Sequence, residues 1–143
     1  MNFTSQICTT KEQSERLLAL GLKKETADCR ICPLITDPNQ YFIIDMGIQP
    51  LDKDETPAWS LHRLIEMMPD KIAYPTIYDS APLRINKNSM YYLRRFFDKY
   101  GDEDYSSVGD NKVVGSHNVF GYAVSVIDFL IKEGYFNKEY LEE

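Results

Sequence analysis

The fold is expected to form around one stretch in the middle of the chain, Thr56-Pro57-Ala58-Trp59-Ser60-Leu61-His62-Arg63-Leu64-Ile65-Glu66-Met67-Met68-Pro69. Thr56 can accept a hydrogen bond from a free backbone N–H at the start of a helix. Pro57 fits the first helical position, where its missing N–H costs nothing. Pro69 cannot continue a helix. The stretch therefore predicts a helix that begins after Thr56 and ends before Pro69.

The two faces of this predicted helix differ in character. One face carries apolar side chains at the i, i+3, i+4, i+7 spacing that packs against a core, namely Leu61, Leu64, Ile65 and Met68. The opposite face carries a mixed set, Trp59, His62, Arg63 and Glu66. Trp and Arg are frequent anchors of binding sites, and His62 and Glu66 lie one turn apart, so they can pair. These four residues form a candidate binding site. In the alternative interpretation, Trp59 folds into the core and the charges form a solvated face.

The composition is that of one soluble globular domain covering residues 1–143. Of the 143 residues, 43% are hydrophobic and 27% charged, and the 13% that are aromatic favour a packed core over disorder. The net charge of -6 weakens a nucleic-acid-binding interpretation, because an acidic chain gains nothing from counterion release. No segment has the length of a membrane span or the pattern of a signal peptide, so a cytoplasmic location is expected. An odd number of cysteines, three, fits a reducing compartment.

Two long helices are predicted near the ends of the chain. Two overlapping capping boxes mark the start of the first, Thr9 with Glu12 and Thr10 with Gln13. Gly21 can take the left-handed conformation that ends a helix, which places the end of this helix near Leu20. The second is predicted over residues 117–133, with Ser116 as its cap. Its apolar arc is wide, so the helix is expected to be largely covered.

Between these helices the pattern favours short antiparallel strands. They are predicted over residues 29–32, 41–46, 74–78, 83–85 and 90–97. Turn residues separate the first two, which predicts a hairpin, whereas the last segment also suits a helix. Residues 100–116 are interpreted as a polar loop. The expected fold is a single α+β domain, in which two or three helices pack on a small antiparallel sheet of four or five short strands.

Cys29 and Cys32 have the spacing of half a zinc site. No second closely spaced pair completes it, and residues three positions apart in a strand point to opposite faces of a sheet. A redox pair would need a helix start to activate the first thiol, and this pair lies in a predicted strand. Structural cysteines are therefore expected, with no metal site and no cofactor.

Three other polar groups are candidates for chemistry. His117 beside Ser116 could belong to a hydrolase, although a helix cap explains Ser116 without any reaction. A group of acids does not follow the order of a calcium loop and is expected to be solvated, namely Asp102, Glu103, Asp104 and Asp110. A small basic cluster could bind phosphate or an acidic partner, namely Arg84, Lys87, Arg94 and Arg95. None of these groups is assigned as catalytic.

Three parts of the sequence resemble a recurrent pattern in short uncharacterised proteins encoded by gut Bacteroidetes and by their phages and mobile elements. The first comprises residues 8–13, 16–18, 21–22 and 25–28. The second comprises residues 57–61 and 64–66, and the third is the closing segment, residues 130–135. The Cys29–Cys32 segment departs from this pattern, which counts against a metal site common to the family. The resemblance implies a phage or mobile-element setting and no particular activity.

Three functional hypotheses follow from the sequence. The first is a non-enzymatic interaction protein that acts through protein–protein contact and associates with itself through an aromatic face, without a membrane or a nucleic acid as partner. The second is an acidic nucleic-acid mimic or inhibitor that occupies a basic site on another protein. The third, which is the least favoured, is a small hydrolase that uses His62 or His117.

Overall fold

The computed structural model describes residues 5–74, 80–87, 89–108 and 118–143. Its helices are α1 (Lys11–Ala19), α2 (Leu61–Met67) and α3 (Val119–Lys132), with short 3-10 turns at Lys24–Thr26 and Lys138–Tyr140. Its strands are β1 (Cys29–Pro33), β2 (Tyr41–Asp45), β3 (Thr56–Ala58), β4 (Lys71–Ala73), β5 (Ser80–Asn86), β6 (Ser89–Phe97) and β7 (Glu103–Val108). The predicted α+β class is confirmed, and the strands of the described residues form two antiparallel sheets.

The chain divides into two compact units. The first unit comprises Met1–Glu66 together with Lys138–Glu143, and the second comprises Met67–Asn137. The C-terminal residues join the first unit through a bridge between Leu22 and Leu141, and the backbone N–H of Lys23 donates to the carbonyl of Tyr140 at 2.9 Å. The single domain over residues 1–143 stays a prediction.

The first unit contains a three-stranded sheet in the order β2-β1-β3. The predicted hairpin is confirmed, since β1 and β2 pair from Cys29 opposite Asp45 to Pro33 opposite Tyr41. The start of α1 is also as predicted, because Thr10 and Gln13 form a complete capping box. Strand β1 lies in the centre of the sheet and is almost entirely buried, whereas β2 and β3 lie at its two edges.

The helix predicted over residues 56–69 is wrong in its first turn. Residues Thr56–Ala58 are strand β3, and α2 begins only at Leu61. Ser60 takes the capping role given to Thr56, because its hydroxyl accepts the backbone N–H of Arg63 at 3.2 Å. Pairing of β3 with the buried strand β1 outweighs the local cap signals of Thr56 and Pro57, which suit a helix only where no strand competes.

The second unit contains a four-stranded sheet in the order β4-β5-β6-β7. The strand predicted over residues 90–97 is confirmed as part of β6, in which Met90 and Tyr92 are buried. The loop predicted over residues 100–116 is wrong across β7, which pairs with β6 from Tyr92 opposite Val108 to Phe97 opposite Glu103. Residues 75–79 of the predicted strand 74–78, and residues 109–117, lie outside the described part of the chain.

Helix α3 packs beside β6 and supplies much of the core of the second unit. Its cap is Asn118, whose side-chain oxygen accepts the backbone N–H of Gly121 at 3.2 Å, whereas the predicted cap, Ser116, lies outside the described residues. The wide apolar arc is confirmed, because its buried residues include Phe120, Ala123, Val124, Val126, Ile127 and Leu130. Gly134, with a φ of 78°, follows the helix in the left-handed conformation.

Candidate functional site

Trp59, the centre of the predicted binding face, is buried in the first unit. Its side chain and backbone are 0% exposed. The indole Nε1 donates to the Thr26 hydroxyl at 2.9 Å, and the backbone N–H donates to the Thr9 hydroxyl at 3.0 Å. Trp59 therefore has no exposed edge to offer a partner, as the alternative interpretation of the sequence anticipated.

The three other residues of that face form a cluster on the surface of α2. His62 Nε2 lies 3.1 Å from Glu66 Oε1, which is the predicted pair one turn apart. Arg63 Nη1 lies 3.4 Å from Glu66 Oε2, and Arg63 Nε donates to the Thr26 carbonyl at 2.8 Å. Exposed ion pairs of this kind contribute little to stability. A binding role for these three residues stays a prediction.

The described residues give little support to a metal or hydrolase site. No group of three or more His, Cys, Asp or Glu side chains among them is placed to hold a metal ion. The side chain of His62 is 84% exposed and pairs with Glu66, while His117 lies outside the described residues. The same part of the chain contains no helix that is long and apolar enough to cross a membrane.

The surface feature that stands out is strand β2, at one edge of the first unit's sheet. Tyr41, Phe42 and Ile44 are exposed on it, and no described strand pairs with its outer side. Two fully exposed isoleucines flank it, Ile35 before the strand and Ile48 after it. Natural sheets usually protect an edge with lysine, proline or a covering segment. We refer to Ile35, β2 and Ile48 together as the β2 edge.

The hydrogen-bond alternation of the hairpin shows which backbone groups face outward from β2. At its two ends, the N–H of Leu34 donates to the carbonyl of Gln40 at 2.8 Å, and the N–H of Met46 donates to the carbonyl of Asp28 at 3.0 Å. Bonded and non-bonded pairs alternate along an antiparallel ladder. The backbone groups of even-numbered residues in β2 therefore bond with β1, and those that point to the open side belong to Tyr41, Ile43 and Asp45.

An open groove of about 1270 Å³ lies beside the same strand. Phe42 and Ile44 line one part of it, and Cys32 of β1 lies next to them. Both charges occur on its other walls, from Lys11, Glu15, Asp52, Lys53, Asp54 and Glu55. The groove therefore joins an apolar surface on the sheet to a polar rim of mixed sign.

A buried ionic network fixes the loop that forms this rim. Arg30, which is buried in β1, lies with Nη1 3.2 Å from Glu55 Oε1, and its Nη2 donates to the carbonyls of Met46 and Gln49. The Cys32 thiol donates to Glu55 Oε2 at 2.8 Å. Sequence reasoning missed Arg30, although a lone arginine within an apolar strand, followed by an acidic loop, is a recognisable signal.

The network also sets the protonation of its members. The hydrogen bond from Cys32, the backbone N–H of Asp52 and the charge of Arg30 hold the pKa of Glu55 below its usual value. Burial and the hydrogen bond to Glu55 raise the pKa of Cys32 to about 11. The thiol of Cys32 is therefore protonated at neutral pH, in which state it donates a hydrogen bond and is a poor nucleophile. This agrees with the interpretation of Cys29 and Cys32 as structural, and all three cysteines are free.

Comparison with known proteins identifies no relative from which a function could be inferred. No protein-family model, no curated protein and no solved structure matches this chain. The resemblance to proteins of gut Bacteroidetes and their phages remains an expectation from the sequence. The β2 edge and its groove are accordingly the basis for the functional proposal.

Proposed function

We propose that this protein is a non-enzymatic interaction module that binds an extended protein segment along the β2 edge. The observation that carries the proposal is a strand with exposed apolar side chains whose outward backbone groups, on Tyr41, Ile43 and Asp45, meet no described strand. An extended segment added to such an edge satisfies those groups, and its side chains enter neighbouring pockets. The backbone of β2 would thus supply affinity for the extended segment, and the groove would supply selectivity for its side chains.

The groove supports a partner with alternating side chains. Phe42 and Ile44 lie on the face of the sheet that borders the groove, so every second residue of an added strand would face the same side. Apolar residues at those positions would cover Phe42 and Ile44. The mixed charges of Lys53 and Asp54 on the rim favour a partner with polar residues outside this apolar stripe.

The two alternative functions have weaker support. A hydrolase would need an activated nucleophile or a histidine in a cavity, whereas Cys32 is held as a thiol and His62 is exposed. A nucleic-acid mimic would need a continuous acidic face, and the exposed strand β2 does not supply one, because Asp45 is its single charged residue. A phage or mobile-element setting is compatible with the proposal and is not needed for it.

Selection from a displayed library of random linear peptides tests the proposal directly. Peptides with alternating apolar residues should be enriched and should bind the purified chain. Tyr41→Pro removes one outward N–H at the first position of β2, where proline is tolerated, and Tyr41→Ala removes the ring but keeps that N–H. The proline variant should bind selected peptides about tenfold more weakly than the alanine variant.

The comparison of these two variants separates backbone pairing from simple hydrophobic contact. Circular dichroism and the urea midpoint of both variants should confirm that each is folded. Failure to enrich any peptide would contradict the proposal, and so would selected peptides that bind both variants with equal affinity.

A further inference from the structure

We infer that the strand that fits the β2 edge is β2 of a second copy of this chain, paired antiparallel about a twofold axis at Ile43. The inference rests on the proposed function, since it names the partner of the same edge. Its basis is that β2 matches itself in its backbone pattern and in its side-chain pairs, and that the antiparallel direction keeps its one charged residue, Asp45, away from Asp45 of the second copy. Each of these three properties can be read from the described residues.

The backbone pattern of β2 is symmetric about its central residue. The outward groups of β2 belong to Tyr41, Ile43 and Asp45, which are symmetric about Ile43. In an antiparallel arrangement with Ile43 opposite Ile43 of the second copy, Tyr41 faces Asp45 of that copy. Each of these pairs then exchanges two N–H···O bonds, as hydrogen-bonded pairs of an antiparallel ladder do. A shift by one residue would place outward groups opposite groups that already bond within the hairpin.

The side chains match in the same register. Phe42 lies opposite Ile44 of the second copy, which is the aromatic with β-branched pairing that stabilises antiparallel sheets. This pair occurs twice because of the twofold axis. Both side chains are partly exposed in the single chain and lie beside the groove, so the pairing extends the apolar stripe across the two copies.

Charge selects the antiparallel direction. Asp45 is the charged residue of β2, and the chain as a whole carries a net charge of -6. An in-register parallel pair would place Asp45 beside Asp45 of the second copy, and adjacent like charges are destabilising. The antiparallel pair places Asp45 opposite the aromatic Tyr41 and separates the two carboxylates by the length of the strand.

The isoleucines that flank β2 in the sequence lie near its two ends. Ile35 precedes β2 and Ile48 follows it, and both are fully exposed. An antiparallel pair brings the end of β2 near Ile35 beside the end near Ile48 of the second copy. Any of these isoleucine side chains that the second copy covers would leave water, which is a favourable change for apolar surface.

Sedimentation velocity over a wide concentration range tests self-association. The wild-type chain should change from monomer to dimer, and added salt should favour the dimer because it screens the repulsion between two acidic chains. Ile44→Lys places a charge in the paired edge and should weaken dimerisation at least about tenfold. Ile85→Lys in β5 is the matched control, because Ile85 is 44% exposed and Ile44 is 45% exposed, and it should leave dimerisation unchanged.

Cysteine cross-linking tests the register. Ile43→Cys should form an interchain disulfide with oxidised glutathione as the electron acceptor, because hydrogen-bonded partners lie about 5.5 Å apart between Cα atoms. Tyr41→Cys should not cross-link, because four residues at about 3.4 Å each separate the two copies of position 41 along the strand. Equal cross-linking of both variants would overturn the proposed register.

The outcomes distinguish this inference from the proposed function. A chain that is monomeric at every concentration, yet binds selected peptides through Tyr41-sensitive pairing, would overturn self-pairing and leave the proposed function standing. A dimer that Ile85→Lys disrupts and Ile44→Lys does not would overturn the assignment of the β2 edge as the self-association surface. A chain that neither dimerises nor binds any displayed peptide would contradict both proposals.

Discussion

At the scale of single residues, Thr9 joins parts of the first unit that are far apart in the sequence. Its hydroxyl accepts the backbone N–H of Trp59 at 3.0 Å and lies 2.8 Å from the hydroxyl of Ser14, and its own N–H donates to the Trp59 carbonyl at 2.9 Å. All three residues are buried. Since a buried polar group without a partner is costly, this small network holds α1 against the segment that leads into α2.

Thr9→Val should lower the free energy of unfolding by about 1–3 kcal/mol, because it leaves the N–H of Trp59 and the hydroxyl of Ser14 without their partner. Urea unfolding followed by the fluorescence of Trp59 measures this change. Thr36→Val is a suitable control, because Thr36 is exposed and its substitution should change stability by less than about 0.5 kcal/mol. A Thr9→Val chain as stable as the wild type would show that the network does not contribute to stability.

At the scale of elements, local signals predicted some boundaries and failed where distant pairing decided. The Thr10 and Gln13 capping box could be identified from sequence because all its atoms lie within one turn of chain. The strand Thr56–Ala58 could not be identified from the sequence, because it forms only by pairing with β1. Strand β7 was missed because its sequence, Glu103–Val108, is mostly polar and lacks an apolar alternation. It pairs with β6 across the short connection between Phe97 and Glu103, and its composition does not reveal this pairing.

The candidate site followed the same rule. The pattern of β2 predicted a strand, yet its position at an edge depends on which strand lies beside β1 on the other side. The mixed face of the predicted helix indicated Trp59 as a binding residue. Its indole N–H instead donates a hydrogen bond to Thr26 in the interior. The ion pair between Arg30 and Glu55 likewise could not be predicted from residue spacing, because Glu55 lies in a loop far along the chain.

The fold should lose stability in acid, because Glu55 in the loop before β3 is then protonated. A carboxylate whose pKa is lower in the folded chain than in the unfolded chain stabilises the fold above the unfolded pKa, and this contribution is lost as the pH falls. The unfolding free energy of the wild type should therefore fall as the pH drops from about 5 toward 3. Glu55→Gln should be less stable at neutral pH, because Arg30 loses its charged partner, and should show a shallower decline in acid.

Urea titrations of both chains at a series of pH values measure this difference. Glu66→Gln is the matched control, because Glu66 pairs with His62 and Arg63 on the surface of α2 and contributes little. Parallel pH profiles for the wild type and Glu55→Gln would contradict the role assigned to the Arg30 network.

At the scale of the whole molecule, the proposed function depends on a contrast between apolar side chains that are buried in a core and apolar side chains that are exposed on β2. Helix α3 places most of its apolar side chains in the core of its own unit. Strand β2 does the opposite, since Tyr41, Phe42 and Ile44 are exposed on an edge. An acidic net charge opposes non-specific association between copies of such a chain, and in the proposed function one apolar edge is used for specific pairing.

Amide hydrogen exchange along β2, followed by NMR at several protein concentrations, tests the central claim most directly. In dilute solution the amides of Phe42 and Ile44 should exchange slowly because they bond to β1, and those of Tyr41, Ile43 and Asp45 should exchange rapidly. At high concentration, or with a bound peptide, these three amides should become protected as well. The account would be contradicted if they were already protected at the lowest concentration, or if they stayed unprotected at the highest concentration and with every selected peptide.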